Sequence, residues 1–134
     1  MIPTTNKVLT TNLTVKTMPS KQHRMILDRN RIISTCDKVE AIKQTIFKIL
    51  NTERYKYIIY SWNYGVELAD LFGQPYRFVC PEIERRVKEA LLQDDRINSV
   101  DSFEFNEPKR GVVTVNFTVH TIFGDIEEEM VVNI

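Results

Sequence analysis

Along this chain the spacing of apolar residues changes several times, and each change marks an element. Over residues 1–22 threonine and lysine are frequent and apolar residues sporadic (Val8, Leu13, Val15, Met18), with Pro19-Ser20 as a closing break. This predicts an extended arm holding at most one short strand. From His23 to Leu27, Met25 and Leu27 share a strand face, and Asp28-Arg29-Asn30 supplies turn chemistry before Ile32-Ile33, so a small hairpin is expected. At Asp37 the period becomes helical. Val39, Ile42, Ile46 and Ile49, joined by Phe47 and Leu50, form one apolar stripe, with Asp37 and Glu40 spaced as a capping box and the end placed near Asn51-Thr52.

Tyr55 to Tyr60 is aromatic and β-branched and predicts a strand. Val66 to Phe72 predicts a short helix ended by Gly73, with Pro75 as a stop, and Pro81 is expected to open a third helix. In that helix Ile83, Val87, Ala90 and Leu91 line one face, while charged residues cover the rest and early acids suit the helix dipole. The last third alternates. A strand near Val100 to Phe105 and a turn at Pro108–Gly111 precede Val113, Val115, Phe117, Val119 and Thr121, which interleave with polar residues. After a turn at Phe123-Gly124-Asp125, a final strand sets Ile126, Met130, Val132 and Ile134 on one face, interrupted by the acidic run Glu127 to Glu129. The fold class is α+β, an antiparallel or mixed sheet with helices mainly on one face. Residues 23–134 form one domain behind the arm.

Composition narrows the function. A chain of 134 residues folded alone buries roughly two-thirds of its unfolded surface, enough for a core without staples. Cys36 and Cys80 lie in no zinc or CxxC spacing, which favours a reducing compartment and leaves one pairing between them open. No apolar run reaches the length of a membrane span, and the N-terminus lacks a signal-peptide core, so a cytoplasmic protein without membrane contact is expected. The 18 basic and 18 acidic residues cancel, which removes the footprint of a nucleic-acid binder. They are unevenly placed: residues 1–80 carry 12 basic and 6 acidic residues, residues 81–134 the reverse. Either the two halves attract each other within the fold, or opposite faces meet different neighbours.

Catalytic chemistry finds little support. The two histidines, His23 and His120, have no recognisable nucleophile partner, and no phosphate-binding loop or metal-ligand motif is present, so no catalytic residue, metal or cofactor is assigned. Glu53 with Glu67 or Asp70 is a nominal glycosidase pair, but Arg54 beside Glu53 favours an ionised carboxylate over a general acid. The aromatic block Tyr55, Tyr57, Tyr60, Trp62 and Tyr64 suits core and interface.

The run Ile49 to Arg54, a short segment, and then Asn63-Tyr64-Gly65-Val66-Glu67-Leu68 resembles the signature of the baseplate wedge family of contractile phage tails. That family includes a small wedge subunit once described as a lysozyme and a related type VI secretion baseplate subunit. Ile49 to Leu71, Cys80-Pro81-Glu82, Ala90 to Ile97 and Phe117 to Asp125 look like the PBSX-type prophage branch. Where the family often has Gly before the Glu-Arg step and Pro before the aromatic-Gly pair, this chain has Thr52 and, near the second place, Trp62.

The resemblance implies a structural baseplate subunit, assembled in the bacterial host cytoplasm and then resident in the tail of a virion or tailocin. Its implied partners are other wedge proteins and the tail sheath, with tube or hub proteins as further candidates. A terminal strand with unpaired edge groups offers a route to the first sheath ring by strand augmentation, and the acidic run would select a basic partner. The partner-binding residues expected on this reading are Glu53, Arg54, Trp62, Tyr64, Gly65, Met130, Val132 and Ile134. The first 35 residues carry six Lys or Arg and one Asp, an arm that either orders on assembly or stays a disordered tail. The alternative function is a tail-associated peptidoglycan hydrolase.

Overall fold

The computed structural model describes Thr14 and residues 19–134. The expected arm over residues 1–22 lies almost wholly outside these. The hairpin forms as expected, from β1 (Gln22–Ile26) and β2 (Arg31–Cys36), and Asn30 takes the left-handed conformation at its turn. Helix α1 (Lys38–Leu50) follows, then a long irregular segment, helix α2 (Tyr76–Leu91), and a meander of β3 (Ile97–Lys109), β4 (Val112–Thr121) and β5 (Gly124–Asn133).

The meander is a three-stranded antiparallel sheet of order β3-β4-β5, separate from the hairpin. Its inner face carries Val113, Val115, Phe117 and Val119 of β4 with Ile126 and Val132 of β5, all buried against Ile42, Ile46 and Ile49 of α1 and Val79, Ile83, Val87 and Leu91 of α2. A strict period of two in β4 thus meets two helical stripes, and that coincidence builds the core. β3 is less regular. Three register shifts and a left-handed Ser102 change which residues face inward, so that Phe103 stacks on both Phe105 and Phe117.

Four local expectations are corrected. The capping box does not close: Asp37 accepts from the Lys38 N–H (2.7 Å), while Glu40 pairs with the Arg24 guanidinium instead of turning back. α2 begins five residues before Pro81, with Pro75 as its N-cap, because the Pro75 carbonyl accepts from the Phe78 and Val79 N–H groups. Pro81 then forfeits one helix bond, to the Arg77 carbonyl, on an exposed face. Val66–Phe72 yields only a 3-10 turn at Ala69–Leu71.

Tyr55–Tyr60 is a looping segment, not a strand. Ile58 is fully exposed, Ile59 is 84% exposed, and among the described residues no strand lies alongside to take up the ladder. Local β propensity describes the fit to a neighbouring strand and is lost without one.

The hairpin is held to α1 chiefly through polar contacts. Gln44 accepts from the Met25 N–H (2.8 Å) and donates to the Gln22 side chain (3.0 Å) and the His23 carbonyl (2.6 Å). Gln22 in turn donates to the Ala41 carbonyl (2.6 Å) and the Thr45 hydroxyl (3.0 Å). Leu27, Ile32 and Ile33 stay exposed.

Candidate functional site

Two surfaces stand apart from the rest of the molecule. The first is the segment between the helices. Leaving α1, the chain makes one short parallel bridge, Glu53 to Val66, in which the Val66 N–H donates to the Thr52 carbonyl (3.0 Å) and the Arg54 N–H to the Val66 carbonyl (3.3 Å). Residues 55–64 bulge out between these closures. Glu53 points back across the base: its carboxylate accepts from the Leu68 (3.2 and 3.3 Å) and Ala69 (3.2 Å) N–H groups, which satisfies the start of the 3-10 turn.

Arg54, with its side chain only 12% exposed, spans the loop. Its Nε donates to the Trp62 carbonyl (2.9 Å) and its Nη1 to Glu89 on α2 (2.9 Å), with the guanidinium over the Tyr55 ring. The hydrogen bond from Arg54 holds the Glu89 carboxyl below the usual carboxylate range, and Glu89 raises the Arg54 pKa in return. Arg86, one turn back on α2, donates to the Glu67 carbonyl (2.9 Å) and clamps both Asp70 carboxylate oxygens, while also pairing with Glu82 (3.1 Å). Two arginines thus staple both ends of the segment to one helix.

What the staples hold outward is apolar. Ile58, Ile59 and Trp62 (83% exposed) form the crest, and Phe72 and Phe78 lie exposed further along the chain. Tyr60 stacks on Tyr64 at 4.5 Å, and Tyr57 meets Tyr60 edge-on at 6.1 Å. The expected residues Glu53, Arg54, Trp62, Tyr64 and Gly65 are therefore brought together. Glu53, Arg54 and Gly65 shape the loop from inside, whereas Trp62 is presented. Arg86, Asp70 and Glu89 complete the arrangement. In the sequence Asp70 stands only as a nominal carboxylate partner of Glu53, and Arg86 and Glu89 only as part of a solvated helix face.

The geometry is unsuited to glycoside hydrolysis. Glu53 is occupied by backbone donors, and the Arg86 hydrogen bond lowers the Asp70 pKa, which favours the ionised carboxylate where a general acid must be protonated.

The second surface is the edge of the sheet. Thr121 faces Gly124 across a two-residue turn, and the Ile134 N–H donates to the Gly111 carbonyl (2.8 Å). Even-numbered residues of β5 therefore bond to β4, and the main chain of Glu127, Glu129 and Val131 points to the free edge. Among the described residues no strand pairs with it. The two edges of the sheet differ. β3 is broken by three register shifts and holds Pro108, while β5 runs without a shift through all ten of its pairs with β4. Met130, Val132 and Ile134 turn toward the core, with Val132 buried and the other two half-buried, so what the strand leaves open at its outer edge is main chain.

The outer sheet face is polar and acidic. Asp125, Glu127 and Glu129 of β5 lie near Glu104 and Asp101 of β3. In its middle row His120 of β4 joins all three strands: Nδ1 lies 2.6 Å from Asp125 and Nε2 2.9 Å from Asp101. These two carboxylates raise the His120 pKa, Asp125 most, and the His120 contact lowers that of Asp101.

The sequence profile of the contractile injection system sheath initiators matches residues 8–124. The chain is also similar to the phage-like element PBSX protein XkdS of Bacillus subtilis (strain 168), with 41% identity over 97 residues, covering 70% of this chain and 68% of that protein. The chain belongs to the contractile injection system sheath initiator family, whose members are structural tail proteins and not enzymes.

Proposed function

We propose that this sheath initiator sits in the tail baseplate, docks on other wedge proteins through the loop crest, and anchors the first sheath ring by accepting a strand on β5. The observation that carries this reading is the contrast between the two sheet edges. β3 is bulged and proline-bearing, as edges closed to pairing are, whereas β5 is long and regular, with an outer edge that no strand pairs among the described residues. Strand addition supplies affinity through main-chain hydrogen bonds and needs no catalytic group. The exposed Ile58, Ile59 and Trp62 supply the apolar anchor that a wedge contact needs, and Glu53, Arg54, Tyr64 and Gly65 hold that anchor in shape. The strand bearing Met130, Val132 and Ile134 is the sheath-facing element. The acidic outer side of β5 discourages indiscriminate pairing and favours a basic partner strand.

The test is electron microscopy of particles from a producing strain with the gene deleted and then restored. Bare tubes or tubes without baseplates, rescued by the restored gene, are expected. Complete sheathed tails from the deletion strain contradict the reading.

A further inference from the structure

Glu128 breaks the pattern of its strand. Its neighbours Glu127 and Glu129 face the exposed side of the sheet, but Glu128 lies opposite Phe117 on the inner, helix-covered side, at a position where Ile126 and Val132 of the same strand are buried. There it lines a groove of about 350 Å³ between the hairpin, α1 and the β5 edge, together with Met25, Leu27, Cys36, Phe47 and Lys43. Arg24, Glu40 and Gln44 complete its lining, with Arg24 already paired to Glu40. The Glu128 carboxylate is half-buried, and burial pushes its pKa up although Lys43 lies close enough to oppose the shift. Among the described residues nothing donates a hydrogen bond to it, and no ion pair within 4.0 Å reaches it.

We infer that Glu128 sets the register of the strand that β5 accepts, by requiring a lysine or arginine at the inward position facing it and apolar residues at the inward positions on either side. The inference rests on strand addition at β5. Because Glu128 directs its main chain to β4, an antiparallel newcomer faces it in a non-hydrogen-bonded pair, with Cα atoms about 4.5 Å apart and side chains in closest contact. The added strand also closes the groove over the carboxylate. An apolar residue facing it leaves a charge desolvated without a partner, whereas a cation satisfies it. Inward neighbours of that cation meet Met25, Leu27 and Phe47 and gain from being apolar. On the other face, Glu127 and Glu129 sit diagonal to or opposite the outward residues and favour basic ones there. A slip of one residue exchanges the two faces, and a slip of two moves the cation off Glu128, so one half-buried charge discriminates among registers that main-chain bonding alone treats alike.

The test uses the full chain and two labelled nine-residue peptides that alternate inward valine with outward lysine or threonine. They differ only at the central inward position, which is lysine in one and leucine in the other. Fluorescence anisotropy should show wild type binding the lysine peptide at least tenfold more tightly than the leucine peptide. Glu128→Leu should reverse that order, Glu128→Gln should erase it, and Val131→Pro should weaken binding of both peptides. If both peptides bind equally to wild type and to the Glu128 variants, yet Val131→Pro still weakens them, the edge accepts strands and the role of Glu128 is overturned. If neither peptide binds any of the proteins, strand addition at β5 is itself overturned, and the inference with it.

Discussion

Gly65 and Thr52 approach so closely that a Cβ on Gly65 would lie 2.5 Å from the Thr52 carbonyl oxygen, the same oxygen that accepts the Val66 N–H. Gly65 also has a φ of +91°, so both space and backbone demand glycine here. Gly65→Ala should therefore cost about 2–4 kcal/mol, combining a left-handed penalty with forced displacement of the bridge. Gly73, with a φ of +82° but nothing within 4 Å of an added Cβ, is the control. Gly73→Ala should cost only about 1–2 kcal/mol. Urea unfolding of the two variants checks the difference, and equal losses would remove the close-approach argument.

Arg54 is asked to hold two directions at once, the Trp62 carbonyl and the Glu89 carboxylate. Arg54→Ala should destabilise by about 1–2 kcal/mol, a modest figure because Glu89 remains 44% exposed and solvent screens the pair. Arg54→Lys should rescue little, since an ammonium cannot reproduce the planar fork. Chymotrypsin should cut both variants faster within residues 55–62, where Tyr55, Tyr57, Tyr60 and Trp62 are the sites. Wild-type cleavage rates would show that the staple does not order the loop.

The crest makes a separable prediction. Ile58 and Ile59 contribute nothing to the core, so Ile58→Ser with Ile59→Ser should leave stability within about 0.5 kcal/mol of wild type. The same change should abolish incorporation into the baseplate. Trp62 is the only tryptophan and is exposed, so its fluorescence should be red-shifted in the free subunit and move to the blue when partner wedge proteins are added. Unchanged emission alongside demonstrated binding would place the contact elsewhere.

His120 predicts a pH dependence with a definite sign. Its folded pKa is raised above 6.5 by Asp125 and Asp101, so the ion pairs stabilise the sheet fully below the unfolded histidine value and are lost as pH rises through the folded one. Asp101 is depressed below 3.8, so its share is present above that value and fades as acid protonates it. His120→Asn should accordingly lower the melting temperature most between about pH 4.5 and 6, and least at pH 9. A difference independent of pH would mean that His120 acts through packing alone.

Some of this was written in local sequence and some was not. The period of two from Val113 to Thr121 and the stripe from Val39 to Ile49 are properties of adjacent residues, and both became the core elements they predict. The strand expected at Tyr55–Tyr60 failed because its identity depended on a neighbour the fold does not supply. Pro81 misled because a proline early in a helix and a proline at its first position look alike until the turn before them is known. At the candidate site, Glu53 and Arg54 drew notice through the motif they belong to. The pairings that fix the loop have no such mark, because Arg54 meets Glu89 across 35 residues and Arg86 meets Asp70 across 16, distances at which charge pairing leaves no local pattern. The inward turn of Glu128 was implicit in strand parity but hidden within a run of three acids.

If β5 is the sheath-accepting edge, electron microscopy of tails complemented with Val131→Pro reads it out. The Val131 N–H faces away from β4, so the substitution removes a donor to the partner without breaking the subunit's own ladder. The purified variant should keep its circular dichroism spectrum and still enter baseplates, while its tubes remain bare of sheath. Sheathed tails in wild-type numbers would contradict the account.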